Sequence, residues 1–214
     1  MSNPARPASA GRSYGGLSHE DRQAQRRRAF IEAGTQLFGT TGYRGTTVRA
    51  VCQAAQLNDR YFYAQFASME ALLLAVYAHW SQQLGGAVGQ ATDSPGALEA
   101  RLEAGLRAYF RFMRDERVAR ILLLEVVGVS PTVDEAYKAN LAGFARRLAA
   151  TAEAVWLKAG LDKADQRIAS TALVGALTSA ATYWHLTGYR DAESRMVGNC
   201  LRVDAGAIRG AASR

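Results

Sequence analysis

The 214-residue chain is short of the residues that staple, metal-bind or break structure: two cysteines, three histidines and four prolines. Cys52 and Cys200 alone exclude a disulfide framework, and a reducing cytoplasm is the expected setting. His19, His79 and His185 stand apart from one another with no ligand spacing beside them, so no metal site is expected. No apolar run opens the chain as a secretory signal would. Walker, Gly-x-Ser-x-Gly and His-Glu-x-x-His sequences are missing, no set of nucleophile, base and orienting group converges, and neither a catalytic site nor a cofactor is expected. Lysine is scarce too, with only Lys138, Lys158 and Lys163.

What remains is apolar and basic. Hydrophobic residues make up 49% of the chain, enough for a substantial core, and the formal charge is +7. The charge is lopsided. Residues 1–66 hold nine arginines, no lysine and four acids, and arginine is the side chain suited to bidentate contact with phosphate or guanine. This asymmetry favours a polyanionic partner over a neutral one. One stretch, Ile168 to Tyr189, lacks Asp, Glu, Lys and Arg for 22 residues. Its many Ala, Ser and Thr residues make it a poor membrane span, and a buried or interfacial helix is expected instead.

Hydrophobic spacing is helical nearly throughout, and the expected fold is all-α with about nine helices. Residues 1–17, with Arg6 and Arg12, have the composition of a flexible arm. A first helix opens at Ser18 with Asp21 three residues on and carries Phe30, Ala33, Leu37 and Phe38 inward. Thr46 is the expected N-cap of a short second helix with Val48, Val51, Cys52 and Ala55 on its apolar face. Asn58 caps a third helix that buries Phe62 and Phe66, and Ser68 caps a fourth. Gly85, Gly86 and Gly89 suggest a break and a boundary between residues 18–84 and 85–214. Ser94-Pro95 and Ser130-Pro131 each place a cap before a proline, Asp115 and Asp162 open further helices, Gly160 ends a long one, and Asp191 starts the last.

A short helix, a tight turn and a second short helix over about residues 46–66, set among the arginines, have the shape of a helix-turn-helix. The start of the second helix, with Thr46 and Thr47, should grip a phosphate, and Arg49 reaches a phosphate or a guanine edge. In the first turn of the third helix Arg60 suits guanine, Asn58 adenine and Asp59 cytosine, with Tyr61 beside them. The sequences Gly42-Tyr43-Arg44-Gly45-Thr46-Thr47-Val48-Arg49, Ala55-Gln56-Leu57-Asn58, Tyr61-Phe62-Tyr63-Ala64-Gln65-Phe66 and Ser68-Met69-Glu70-Ala71-Leu72-Leu73 resemble the tetracycline-repressor (TetR-like) family of bacterial regulators. In that family the position of Tyr63 contacts backbone phosphate. Arg28 and Arg44 complete the expected DNA-binding set. The chain departs from the pattern where Gln56 replaces the usual turn glycine and Met69 replaces a lysine, which removes one phosphate contact. Arg26, Arg27 and Arg28 either replace that contact or form a solvated face.

The resemblance implies a sequence-specific regulator, by default a repressor. Its partners would be a palindromic double-stranded DNA operator, a small, largely apolar effector and a second copy of the chain; it would act at the cytoplasmic nucleoid. Small residues Ala172, Gly175, Ala176, Ser179 and Ala180, with Met196, Val197, Cys200 and Leu201, are the expected homodimer surface. Trp80, Tyr109, Met113, Glu125, Phe144, Tyr183 and Trp184 are the candidate effector-pocket residues. Glu125 either meets a cation there or pairs with Arg101 or Arg120. Two other classes compete: a non-specific polyanion binder, and an enzyme or lipid carrier built on a helical bundle.

Overall fold

The computed structural model describes residues 18–211, and the arm at 1–17 lies outside them. Among the described residues there are nine α-helices and no strand. Helix α1 (His19–Thr40) opens with a capping box in which the Ser18 hydroxyl accepts from the Asp21 N–H and the Asp21 carboxylate accepts from the Ser18 N–H. Helices α2 (Val48–Ala55) and α3 (Asp59–Tyr63) follow, then the long α4 (Met69–Thr92). Phe62 of α3 is fully buried edge-on to Phe30 of α1 at 5.5 Å between ring centroids, with Phe66 5.8 Å from Phe62. These three rings hold the short helices onto α1, because neither is long enough to be stable alone.

Helix α4 does not break at its glycines. It runs through Gly85, Gly86 and Gly89 to Thr92, so the boundary expected after residue 84 falls inside one continuous helix. Leu84, Gly89 and Thr92 are buried on its inner face, and packing offsets the roughly 1 kcal/mol each glycine costs in a helix. Helix α5 (Leu98–Phe112) starts three residues after Pro95, from Ala97 and without a side-chain cap; Ser94-Pro95 belongs to the turn.

Asp115 caps the short α6 (Glu116–Arg120), which continues as one π-helical turn over Ile121–Glu125. Ser130 caps α7 (Pro131–Lys158) through the Val133 N–H, and Asp162 caps α8 (Lys163–Leu186) through the Asp165 N–H. Gly160 turns the chain between them with φ +74°. Helix α9 (Glu193–Ala211) starts two residues after Asp191, whose carbonyl instead accepts from Trp184 Nε1 at 2.8 Å. One core joins α1–α6 to α7, α8 and the start of α9; a second, around Trp156, Leu173 and Ile208, closes the far end. No helix among the described residues is long and apolar enough to cross a membrane, including α8 with its uncharged stretch from Ile168 onward.

Candidate nucleic-acid interface and effector cavity

The turn between α2 and α3 rests on one left-handed residue. Gln56 has φ +55° and ψ +36°, and the chain reverses there as the Leu57 N–H donates to the Cys52 carbonyl at 3.0 Å. A non-glycine residue in that region costs on the order of 1 kcal/mol, so the turn keeps its shape with mild strain. The N-cap of α2 is Thr47, not Thr46: the Thr47 hydroxyl accepts from the Ala50 N–H at 3.2 Å. The Thr46 hydroxyl donates back to the Gly42 carbonyl at 2.7 Å and ties down the preceding turn. Capping selects the residue whose backbone is extended, and Thr47 has φ −115° and ψ +156°.

On α3 the Asn58 Oδ1 accepts from the Tyr61 N–H at 3.1 Å and the Asp59 carboxylate accepts from the Arg60 N–H at 2.9 Å. The cap occupies Oδ1 of Asn58, and its Nδ2 remains the donor available to a base edge, where an adenine pair would use both atoms. Arg49, Asn58, Asp59 and Tyr63 line one shallow concave surface between α2 and α3. Arg28, Arg44, Arg60 and Thr47 are exposed outside it, and Tyr63 presents 61% of its surface. Tyr61 is half-covered by Arg26, whose guanidinium sits 4.1 Å from the ring centre; Arg27 lies 4.6 Å over Phe66. Two of the three consecutive arginines therefore stack on aromatic rings of the helix-turn-helix, leaving Arg28 outward.

Glu125 joins the two ends of the molecule. Its Oε1 accepts from Arg120 Nε and its Oε2 from the Tyr43 N–H, both at 2.7 Å, while Arg120 Nη1 donates to the Thr40 carbonyl at 2.7 Å. The carboxylate thus satisfies a backbone donor of the α1–α2 turn from the π-helical turn 82 residues away, and of the two arginines weighed for it Arg120 is the partner. Glu125→Ala is expected to lower stability by about 2 kcal/mol in urea unfolding, because the half-buried Tyr43 N–H and the Arg120 guanidinium lose their acceptor. An unchanged midpoint would mean that water replaces the carboxylate without cost.

A separate cavity of about 100 Å³ opens among α4, α5, the π-helical turn, α7, α8 and α9. Tyr109, Met113 and Phe144 of the expected pocket residues line it. Trp80, Glu125, Tyr183 and Trp184 lie outside its wall. Trp80 Nε1 donates to the Thr35 hydroxyl at 2.9 Å and locks α4 to α1. Trp184 packs edge-on to Phe110 and Tyr189, and Tyr183 points outward with 62% of its surface exposed. Most of the lining residues were missed, among them Leu84, Val88 and Thr92, which flank the expected break in α4, and Asp204. Asp204 was legible in principle. It shares the helical phase of Val197, Cys200, Leu201 and Ile208 on α9.

Of the expected dimer residues, Ala172, Gly175, Ala176 and Ser179 are exposed on α8, and Ala180, Met196, Cys200 and Leu201 are partly covered. Val197 is 2% exposed and belongs to the chain's own core. Neither cysteine is an activated nucleophile: burial raises the Cys52 thiol, and burial with the nearby Asp204 carboxyl pushes Cys200 up to about 11.

A helix-turn-helix with an exposed arginine face is thus docked on a helical body with an apolar cavity. Residues 30–76 match the family model for bacterial regulatory proteins, tetR family. A search of curated protein sequences finds no match. Among solved structures, the fatty acid degradation regulator FadR from Bacillus halodurans superposes with a TM-score of 0.75 at 18% identity, covering 86% of this chain and 96% of that one. A putative transcriptional regulator from Pseudomonas aeruginosa PAO1 gives 0.74 at 20% identity, covering 93% and 98%. The regulator FadR from Bacillus subtilis, in complex with stearoyl-CoA, gives 0.69 at 14%, covering 87% and 97%. At these identities the likeness is one of fold.

Proposed function

We propose that the protein is a homodimeric repressor that reads a palindromic operator at the cytoplasmic nucleoid and is released by a small, largely apolar effector. Residues 18–84 carry the DNA contacts and residues 85–214 the effector and dimer functions. The observation that carries this reading is the exposed first turn of α3, where Asn58, Asp59 and Arg60 stand together beside Arg49 of α2. These are base-reading side chains on a helix short enough to enter a major groove by its N-terminal end. Phosphate contacts from Arg28, Arg44, Thr47, Arg49 and Tyr63 would fix the register.

The dimer surface is the outer face of α8. Ile168, Ala172, Gly175, Ser179, Tyr183 and Leu186 recur at helical spacing and are all exposed, with Val203 exposed on α9. Small residues at its centre permit close helix approach, and larger ones at its ends add apolar area. Such a dimer sets two recognition helices one DNA turn apart, about 34 Å.

Release by an effector follows from the π-helical turn. Leu122 and Leu123 line the cavity, and Glu125 of the same turn holds the Tyr43 N–H of the DNA-binding end. A ligand that displaces the leucines shifts the carboxylate and with it α1, which changes the spacing of the recognition helices. The weakening of DNA binding equals the ligand's differential affinity for the two arrangements. The Bacillus subtilis regulator of the same fold is solved with stearoyl-CoA, a ligand far larger than this cavity, so what it supports here is binding of a ligand within the helical body and not the ligand's class.

Selection of bound sequences from random duplexes at one fixed salt concentration tests the reading, with Arg60→Ala in parallel. The expected result is a palindrome with half-sites one turn apart, on which Arg60→Ala costs about 1 to 3 kcal/mol while random DNA is bound as before. Steeply salt-dependent binding with no motif would overturn it in favour of a non-specific polyanion binder.

A further inference from the structure

The cavity wall contains one group that does not belong in an apolar space. Asp204 of α9 is 6% exposed, it lines the cavity beside Leu102, Leu173 and Val174, and it has no hydrogen bond or ion pair among the described residues. Two half-buried acids elsewhere are answered: Glu125 by Arg120 and Tyr43, Asp115 by the Arg117 and Val118 N–H groups. Burial pushes the Asp204 carboxyl up to about 6, so near neutral pH much of it is a carboxylate without a counter-charge. A hydrophobic residue would fill the same place at lower cost.

Among the described residues, the one cation that shares the cavity wall is Arg147. It lies beyond 4 Å of Asp204, is itself exposed, and shares an open outer groove with Arg101 and Arg146, so it serves the mouth rather than the interior. Inside, the remaining polar surface is ring faces, hydroxyls and the Asn140 carboxamide, whose Nδ2 donates to the Tyr77 hydroxyl. Tyr109, Tyr137 and Phe144 line the same space as Asp204. A carboxylate and aromatic faces around one apolar cavity are the chemistry that recognises an organic cation: the carboxylate supplies charge and the rings supply their negative quadrupole. The volume limits the size. At about 100 Å³ the space is on the scale of the cavity of roughly 150 Å³ that admits benzene.

We propose that Asp204 is the polar anchor of the effector cavity and that the effector is a compact apolar molecule carrying a protonated amine. The inference rests on the effector-released regulator described above and narrows its ligand class. It also separates this chain from a receptor for a plain acyl chain, whose methylenes would leave the buried carboxylate unpaired. In a filled cavity the ammonium pairs with Asp204 while the apolar part packs against Tyr109, Tyr137 and Phe144 and presses on Leu122 and Leu123.

The test uses the full chain without DNA. Binding of 2-phenylethylamine and 1-hexylamine is measured by calorimetry and by the shift of thermal unfolding, beside 2-phenylethanol and 1-hexanol, for the wild type and for Asp204→Asn. The amines are expected to bind the wild type about tenfold or more tightly than the matching alcohols, and the difference is expected to vanish in Asp204→Asn. Asp204→Asn removes an unpaired charge and is expected to fold, which its unfolding midpoint verifies. Equal binding of amines and alcohols, no binding of either amine, or an amine preference that survives in Asp204→Asn would each overturn the proposal. Operator selection by the unliganded wild type is independent of all four probes, so failure here and failure of the regulator reading are told apart.

Discussion

Gly39→Ala is expected to lower the stability of the protein by about 3 kcal/mol, although a glycine-to-alanine change inside a helix ordinarily raises it by about 1. The reversal comes from the approach of α6. A Cβ on Gly39 would lie 2.3 Å from the Arg117 Cβ, 2.6 Å from its Cα and 2.9 Å from its carbonyl oxygen. Two of those atoms are backbone, so no rotamer change relieves the clash and the two helices must separate. Gly85 and Gly86 supply the contrast within one chain, since a Cβ at either meets nothing within 4 Å. Gly86→Ala is expected to gain about 1 kcal/mol. For a chain of this size each kcal/mol moves the thermal midpoint by about 2 to 4 °C, so the two variants should fall on opposite sides of the wild type in one unfolding experiment. A wild-type midpoint for Gly39→Ala would show that α1 and α6 are not packed at this point in solution. The docking matters for function because Thr40, Tyr43, Arg120 and Glu125 are joined within a few residues of it.

Asp204→Asn is expected to change the pH dependence of stability by a similar amount. The folded carboxyl titrates near 6, raised by burial, against an ordinary value of 3.8 in the unfolded chain. Between those values the native state holds a proton that the unfolded chain has released, so this group's contribution to stability falls as pH rises from about 4 to about 6 and stays low above it. The loss amounts to about 3 kcal/mol. Urea unfolding of the wild type and of Asp204→Asn from pH 4 to 8 should therefore show the variant gaining relative to the wild type by about that much across the interval, with a plateau beyond. A difference that does not vary with pH would mean that the carboxyl is solvated or paired, and would remove the physical ground for treating it as a ligand anchor.

The parts of the molecule legible in the sequence are those held by local forces. Ser18, Asn58, Ser68, Asp115, Ser130 and Asp162 each accept the backbone N–H expected of an N-cap, because the bond spans only two or three residues and any extended residue of that type can make it. Where two candidates adjoined, as at Thr46 and Thr47, residue type could not choose between them and the backbone angle did. Ser94-Pro95 and the glycines of α4 misled for one reason: they measure local preference, and the packing of Leu84, Gly89 and Thr92 against the body outweighs about 1 kcal/mol per residue. The candidate DNA-contact residues could be grouped from the chain because they lie within 36 positions of one another and its arginines are concentrated there. The apolar cavity could not be, because its wall is assembled from six segments between Leu84 and Asp204, and hydrophobic spacing marks a buried face without saying whether a neighbour fills it.

The sequence by itself determined the all-helical class, most helix starts, the aromatic anchor of Phe30, Phe62 and Phe66, and the arginine-bearing helix-turn-helix, since each follows from spacing or capping within a few turns of chain. Tertiary structure alone decided that Glu125 closes on Tyr43 rather than on a ligand, that Arg26 and Arg27 lie over rings, and that Asp204 is left without a partner in an apolar space. The physical reason is common to all three. A side chain's charge is written in the chain, but the partner that answers it is chosen by which helices pack together.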